Sequence, residues 1–217
     1  MNTNTLIPRP ETEELVAWIL EEVGKTRSEF IEGLKVKKQA VSILDIGTGT
    51  GCIPISLAKN IKNTTIAAID ISEKALEIAT QNATLNNVKV DFFKQDILKT
   101  DNLNEILKPV QHKPVKYNII VSNPPYVRDL EKLKIKNNVL NNEPHLALFV
   151  SNENPLIFYD KITNLAQKYL KKKGLLFFEI NQYLGRETVT LLKEKGFKNI
   201  ELRKDVFGND RMIKASL

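Results

Sequence analysis

The sequence has 217 residues and a mass of 24.7 kDa, room for one substantial domain and short of two average ones. At 42% hydrophobic and 27% charged residues, with nine Gly and nine Pro, the composition is globular and excludes a disordered, collagen-like or coiled-coil chain. The 32 basic and 26 acidic residues give a net charge of +6, a mild bias that allows an RNA-rich or acidic partner without demanding one. No apolar run reaches the roughly 18 residues of a spanning helix. Glu11, Glu13 and Glu14 occupy the stretch where a secretory signal would be basic and then apolar. A soluble, cytoplasmic protein without membrane attachment is expected. The single cysteine, Cys52, has no second thiol with which to form a disulfide or a zinc site, so no metal is expected.

In chain order, residues 11–23 read as an opening helix, followed by a polar connection over 24–39 that contains Gly33 and several lysines. β-Branched apolar runs then alternate with helical periodicity. Strands are expected over 41–46, 65–70, 88–93, 117–122 and 175–180, and helices over 52–60, 72–86, 156–171 and 184–195. Such alternation is the pattern of βαβ units, an α/β fold around a mostly parallel sheet. Beyond Gly196, extended segments over 197–203 and 211–215 are joined through Gly208 and Asn209 with no length for a crossover helix. The sheet is therefore expected to close on an antiparallel hairpin, bringing it to seven strands. Residues 1–40 are expected to form a helix and connection packed on a single α/β unit over 41–217. The Lys- and Asn-rich stretch 133–142 is a lid candidate, and Lys171, Lys172 and Lys173 before Gly174 fit a helix C-terminus.

Asp45-Ile46-Gly47-Thr48-Gly49-Thr50-Gly51 stands at the junction of a predicted strand and a predicted helix. Glycines at 47, 49 and 51 let a ligand approach the backbone, and the N–H groups opening the helix form a weakly positive rim. Asp70 ends the second strand, where a carboxylate can accept two hydrogen bonds from a ribose diol. A tight turn would use the same glycines, but with Asp70 the set forms an adenosine-binding constellation. The dinucleotide fingerprint would place its third Gly at Cys52, so this spacing favours S-adenosylmethionine over NAD. Asp96 after the third strand reads equally as a helix cap or as a group reaching an adenine amine, with Ile97 beside it as a possible apolar wall.

Asn123-Pro124-Pro125-Tyr126 follows the fourth strand, at the carboxyl edge where open α/β sheets bind ligands. An amide or ring-amino nitrogen is a poor nucleophile because its lone pair is delocalised. Acceptors aimed at both of its N–H groups favour pyramidal distortion and direct the lone pair toward an electrophile. The Asn123 Oδ1 and the Pro124 carbonyl are suitable acceptors, Pro124 and Pro125 add no competing N–H, and Tyr126 is placed to stack on the planar group.

The tetrapeptide together with the glycine loop resembles class I S-adenosylmethionine-dependent amino methyltransferases, which implies a Rossmann-like fold with helices on both faces of the sheet. Four further segments narrow the match. They are Leu6-Ile7-Pro8-Arg9-Pro10-Glu11-Thr12-Glu13, Glu143-Pro144 with Ala147-Leu148-Phe149, Phe178-Glu179-Ile180 with Gln182, and Gly208-Asn209-Asp210-Arg211. All are similar to the HemK/PrmC family, whose members methylate the glutamine nitrogen in the Gly-Gly-Gln motif of peptide chain release factors. The resemblance implies that Gly47, Thr48, Gly49, Thr50, Gly51 and Asp70 bind S-adenosylmethionine and that Ile97 lies against adenine. Asn123 would touch cofactor and substrate, and Asn123, Pro124, Pro125 and Tyr126 would grip the glutamine. S-adenosylhomocysteine and N5-methylglutamine would be the products. The sequence departs from the family at residues 151–156, where a Gly-x-Asp-Gly-Leu run is common, and at Ile97, where an aromatic is common. The resemblance also implies a helical domain ahead of Pro8 that helps dock the release factor. This sequence starts only a few residues before it, as a shortened chain or a short homologue would.

Arg9, Glu11 and Glu13 could line the mouth of the site, but glutamates are equally favoured at a helix start by the dipole. Glu179 and the Asp210-Arg211 pair are explained as well by a partly buried ion pair, and His112 and His145 by surface or capping roles. The expected activity is transfer of a methyl group to a release factor glutamine by a monomer that needs no nucleic-acid contact. The alternatives are a ribosomal-protein glutamine, an exocyclic amine of adenine or guanine in nucleic acid, and a cofactor-binding module without turnover.

Overall fold

The structure is a computed structural model that describes residues 9–28, 40–105, 107, 116–134 and 144–217. Most of the 24–39 connection and of the 133–142 lid candidate, with His112, Glu143 and the Leu6, Ile7 and Pro8 part of the N-terminal motif, lie outside these residues.

Helix α1 (Pro10–Ser28) opens with Pro at its first position, where a missing N–H costs nothing. It runs past the expected end because Gly24 disfavours a helix by only about 1 kcal/mol and does not stop it. Thr12, Leu15, Trp18, Ile19 and Val23 recur at three- and four-residue spacing and are all buried.

Five parallel strands follow: β1 (Val41–Ile46), β2 (Thr64–Asp70), β3 (Asp91–Lys94), β4 (Tyr117–Ser122) and, after the two short strands described below, β7 (Leu170–Glu179). The expected hairpin is formed by β8 (Lys198–Lys204) and β9 (Asp210–Ser216), antiparallel to each other and, through β9, to β7. The seven-stranded order is β3-β2-β1-β4-β7-β9-β8. Helices α2 (Cys52–Asn60), α3 (Glu73–Leu85), α4 (Ile157–Tyr169) and α5 (Gly185–Glu194) complete the α/β alternation. A separate two-stranded parallel ladder, β5 (Val127–Arg128) with β6 (Phe149–Val150), was not foreseen.

Successive strand residues point to opposite faces, and the core divides accordingly. Ile43, Ile119, Val121 and Phe177 pack with α1 and α2, while Leu44, Ile120, Leu176 and Phe178 pack with α4 and Leu192 of α5. Trp18 meets Phe177 edge to face with 5.5 Å between ring centroids, and the Arg203 guanidinium lies 4.0 Å over its ring. The opening helix is thus part of the sheet's core.

Two further boundaries depart clearly from expectation. The third strand starts at Asp91, not at Val88. The N–H groups of Asn86, Asn87 and Val88 instead bond back to Asn82, Thr84 and Ala83 carbonyls and close α3, with Asn87 at φ 54°. The helix expected over 156–171 also shortens: α4 stops at Tyr169, and Lys171, Lys172 and Lys173 stand in the bulged start of β7. There Lys171 donates to Asn118 Oδ1 at 2.9 Å, Lys173 takes φ 64°, and a Cβ on Gly174 would lie 2.9 Å from the Lys171 carbonyl oxygen.

Because Trp18 joins α1 to β7, Trp18→Ala is expected to lower the unfolding free energy by about 3–5 kcal/mol in urea titrations, the range for truncating a buried aromatic.

Candidate active site

In this strand order β1 has β2 on one side and β4 on the other, so the connections leave β1 and β4 in opposite directions and open a crevice at their carboxyl ends. Ser122 at the end of β4 donates its hydroxyl to the Ile46 carbonyl at 2.6 Å, tying the two strand ends together. The glycine loop leaves one of them and the Asn-Pro-Pro-Tyr segment the other. A Cβ on Gly47 would lie 3.9 Å from the Asn123 carbonyl oxygen.

The glycine loop is built on backbone donors. Gly47 and Thr48 N–H both reach the Ile69 carbonyl, at 2.8 and 3.1 Å, and Gly51 N–H reaches the Thr48 carbonyl at 2.9 Å. Gly47, Gly49 and Gly51 have φ of 77°, 53° and 79°, which side chains other than Gly rarely adopt. They differ in what surrounds them. A Cβ on Gly49 would meet nothing within 4 Å and would project into open space. A Cβ on Gly51 would lie 3.0 Å from Ile55 Cδ1 and 3.1 Å from Ala79 Cβ, so this third glycine serves the packing of α2 on α3.

Asp70 accepts from Gly49 N–H on Oδ2 and from Ser72 N–H on Oδ1, both at 2.8 Å, which aims the carboxylate along the loop. Its pKa is raised by burial, against the pull of these donors. Asp96 caps the short turn after β3, accepting from Leu98 N–H at 3.0 Å. That cap is the structural half of the expectation for this residue.

A cavity of about 290 Å³ lies in the crevice. Gly47, Thr48, Gly49 and Thr50 line one wall, Asp70, Asp96 and Ile97 a second, and Asn123, Pro124 and Pro125 a third. Thr12 of α1 also reaches it. Tyr126 does not. Its ring packs against the core around Phe178 and its hydroxyl donates to Glu179 Oε1 at 3.1 Å, so the expected stacking face is turned inward, anchored by a buried carboxylate.

Two features escaped the sequence reading. Glu179 is not the half of an ion pair expected for it. It is 1% exposed, and its other oxygen accepts from Thr12 Oγ1 at 2.7 Å. Burial raises its pKa, with the two hydroxyl donors and the Arg211 charge opposing. Arg211 pairs instead with Asp205, at 3.3 Å. Thr12 accepts in turn from Asn123 Nδ2 at 3.3 Å. The period-2 alternation in β7, which sets Glu179 on the Phe177 face, and the helical stripe that begins at Thr12 were the available signals.

Asp45 is the second. It is fully buried beneath the loop, and both carboxylate oxygens, like Thr48 Oγ1 beside it, lack a hydrogen-bond partner among the described residues. Burial, opposed by the neighbouring Thr48 hydroxyl and reinforced by the charge of Asp70, pushes its pKa up to about 7. Cys52 is pushed up to about 11 by burial, which leaves it an unreactive thiol. A folded pKa above the unfolded value means that stability is fully present in acid and is lost as the carboxyl ionises. The protein is therefore expected to lose a few kcal/mol of unfolding free energy between about pH 4 and about pH 7 through this residue. Asp45→Asn should flatten that slope in urea titrations across the same range.

Residues 21–148 match the family model described as the methyltransferase small domain. The release factor glutamine methyltransferase of Flavobacterium psychrophilum is 55% identical over 216 residues, spanning all of this chain and 69% of that protein. The Bacteroides thetaiotaomicron protein of the same name is 41% identical over 97% of this chain and 68% of its own length. Among solved structures, the N-terminal domain of human METTL16 superposes with a TM-score of 0.65 at 16% identity, covering 98% of this chain and 72% of that one. A methyltransferase from Pyrococcus furiosus gives 0.56 at 15% identity, with 92% and 97% coverage. These distant structures share the fold. With close relatives matched along nearly its whole length, the chain belongs to the release factor glutamine methyltransferase family.

Proposed function

We propose that the chain transfers a methyl group from S-adenosylmethionine to the glutamine nitrogen of the Gly-Gly-Gln motif in peptide chain release factors, acting as a monomer in the cytoplasm where translation ends. The observation that carries the reading is the opposition, across one crevice, of an open glycine cradle and an Asn-Pro-Pro edge that presents acceptors only. Family membership supports the substrate.

The residues present fit the donor. Gly47 and Gly49 leave space that any Cβ would enter, and the Asp70 carboxylate lines the same cavity beside them. Gly47, Thr48, Gly49 and Thr50 would hold its polar groups and Asp70 its ribose, on the second lone pair of each oxygen. Asp96 and Ile97 would flank the base, and Gly51 would keep the loop closed on α2. When bound, S-adenosylmethionine supplies a sulfonium methyl as the electrophile and leaves as S-adenosylhomocysteine.

The chain's own work is positioning. The Asn123 Nδ2 is engaged by Thr12, and among the described residues no donor reaches its Oδ1. Oδ1 and the Pro124 carbonyl would then accept the two N–H groups of the substrate carboxamide and weaken its conjugation. Pro124 and Pro125 hold this edge with restricted φ and offer no donor that could compete. Tyr126 braces the end of the segment on Glu179. The proton displaced from nitrogen passes to water after transfer.

Incubation of the chain with release factor and methyl-labelled donor is expected to place one label on the Gly-Gly-Gln glutamine, read by mass spectrometry of the peptides. Label in RNA, DNA or a ribosomal protein instead would overturn the assignment. Asn123→Ala is expected to reduce kcat at least about 100-fold, as for loss of a polar group that acts in the transition state, with a melting temperature within a few degrees of the parent. Gly49→Val, whose side chain would enter the cradle, is expected to weaken S-adenosylhomocysteine binding more than about tenfold in calorimetry, the direct consequence of a filled site.

A further inference from the structure

A row of three hydrogen bonds joins three segments far apart in sequence: the start of α1, the loop after β4 and the end of β7. Tyr126 OH lies 3.1 Å from Glu179 Oε1, Thr12 Oγ1 lies 2.7 Å from Glu179 Oε2, and Asn123 Nδ2 lies 3.3 Å from Thr12 Oγ1. We infer that Glu179 is a positioning residue which, through the single proton of Thr12, fixes the end of the Asn123 carboxamide that faces the substrate. The inference rests on the function proposed above and extends it to residues with no contact to the reacting atoms.

The reasoning is a matter of counting donors. Two hydroxyl donors and the Arg211 charge favour the ionised form of Glu179, and an ionised carboxylate only accepts, so Thr12 gives its one hydroxyl proton to Glu179. The Thr12 oxygen is then left with acceptor capacity alone toward Asn123. An Asn side chain has one donating and one accepting end of nearly the same shape, and only the donating end satisfies Thr12. Rotation of the carboxamide by half a turn would set Oδ1 against the Thr12 oxygen with no proton between them. The arrangement therefore delivers Oδ1 to the cavity, the acceptor that a substrate NH2 requires. The reverse orientation would present a donor to a donor.

The carboxylate is held for this purpose. It is 1% exposed at the end of β7, its neighbour in register is Met212 of β9, and its own backbone carbonyl accepts from Tyr159 OH at 3.2 Å. Thr12 is 4% exposed on α1, itself fixed to the sheet by Leu15, Trp18 and Ile19. Neither side chain has room to turn to another partner. The N-terminal helix thus supplies a working part of a site whose other elements come from the βα connections of the sheet.

Thr12→Val keeps the shape and removes the hydroxyl. It is expected to lower kcat for release factor methylation about 10- to 100-fold, since the Asn123 NH2 loses its buried partner and turns to the cavity. The KM for release factor and the affinity for S-adenosylhomocysteine should stay within about threefold, and Thr12→Ser should restore kcat to near the parent value. A second readout needs no turnover. In 15N-labelled protein the side-chain NH2 of Asn123, identified by its loss in Asn123→Ala, should be protected from solvent exchange in the parent and in Thr12→Ser, and unprotected in Thr12→Val. Should Thr12→Val fail to fold, Glu179→Gln decides, because its new NH2 can donate to Thr12 and release the same half-turn, with the same loss of protection. Unchanged kcat and protection in Thr12→Val would overturn the inference. So would losses that follow the melting temperature and are not rescued by Ser. If the parent protein methylates no release factor while the NH2 protection behaves as expected, the proposed substrate is wrong and the hydrogen-bond device stands.

Discussion

The parallel pairing of β1 with β4 is the constraint from which the site follows. It sets Ile46 beside Ser122 in register, so that the two loops that leave these strands begin within hydrogen-bonding distance of each other. Every candidate contact is carried by one of these loops, by the neighbouring ends of β2 and β3, or by groups fastened to them. A slip of one residue in this pair would turn the strand faces over and separate Gly47 from Asn123.

Around that pair the molecule tolerates polar groups in places where burial is costly. A buried carboxylate without a hydrogen-bond partner disfavours folding, and among the described residues Asp45 has none. Glu179 is another carboxylate out of water, but it is satisfied by two hydroxyls. Glu179 completes a network that stiffens the loop after β4, whereas the one around Asp45, beneath the glycine loop, stays incomplete. In both cases the surrounding apolar packing, Trp18 on Phe177 and Tyr159 on Phe178, bears the cost.

Much of this was legible from residue order. The strands at 41–46 and 117–122 and the helix at 52–60 have the bounds that periodicity gave them, because the β-branched runs and the glycine punctuation agree there. The closing hairpin follows from the absence of length for a crossover. Boundaries were misjudged where backbone groups found another use, as at Val88, whose N–H closes a helix, and at Lys171, which enters a bulge. Within the site, glycines and prolines announce themselves through backbone geometry, whereas Thr12 and Glu179 have common residue types and derive their meaning from a partner 167 positions away. Tyr126 was placed at the right edge with the wrong outlook, since sequence fixes the position of a ring along the chain and packing decides its direction. Gly51 belongs to the same lesson: one motif contains glycines that border an open cavity and one that makes room for a helix.

Trp18 is the chain's sole indole, and it stands between α1 and the sheet with cations of β8 and β9 at its face. Indole emission from the unmodified protein therefore originates at one seam, the one that holds Thr12 in place. Any red shift or quenching on titration with denaturant, ligand or protein partner reports loosening of that seam in particular, and the fluorophore comes with the native chain.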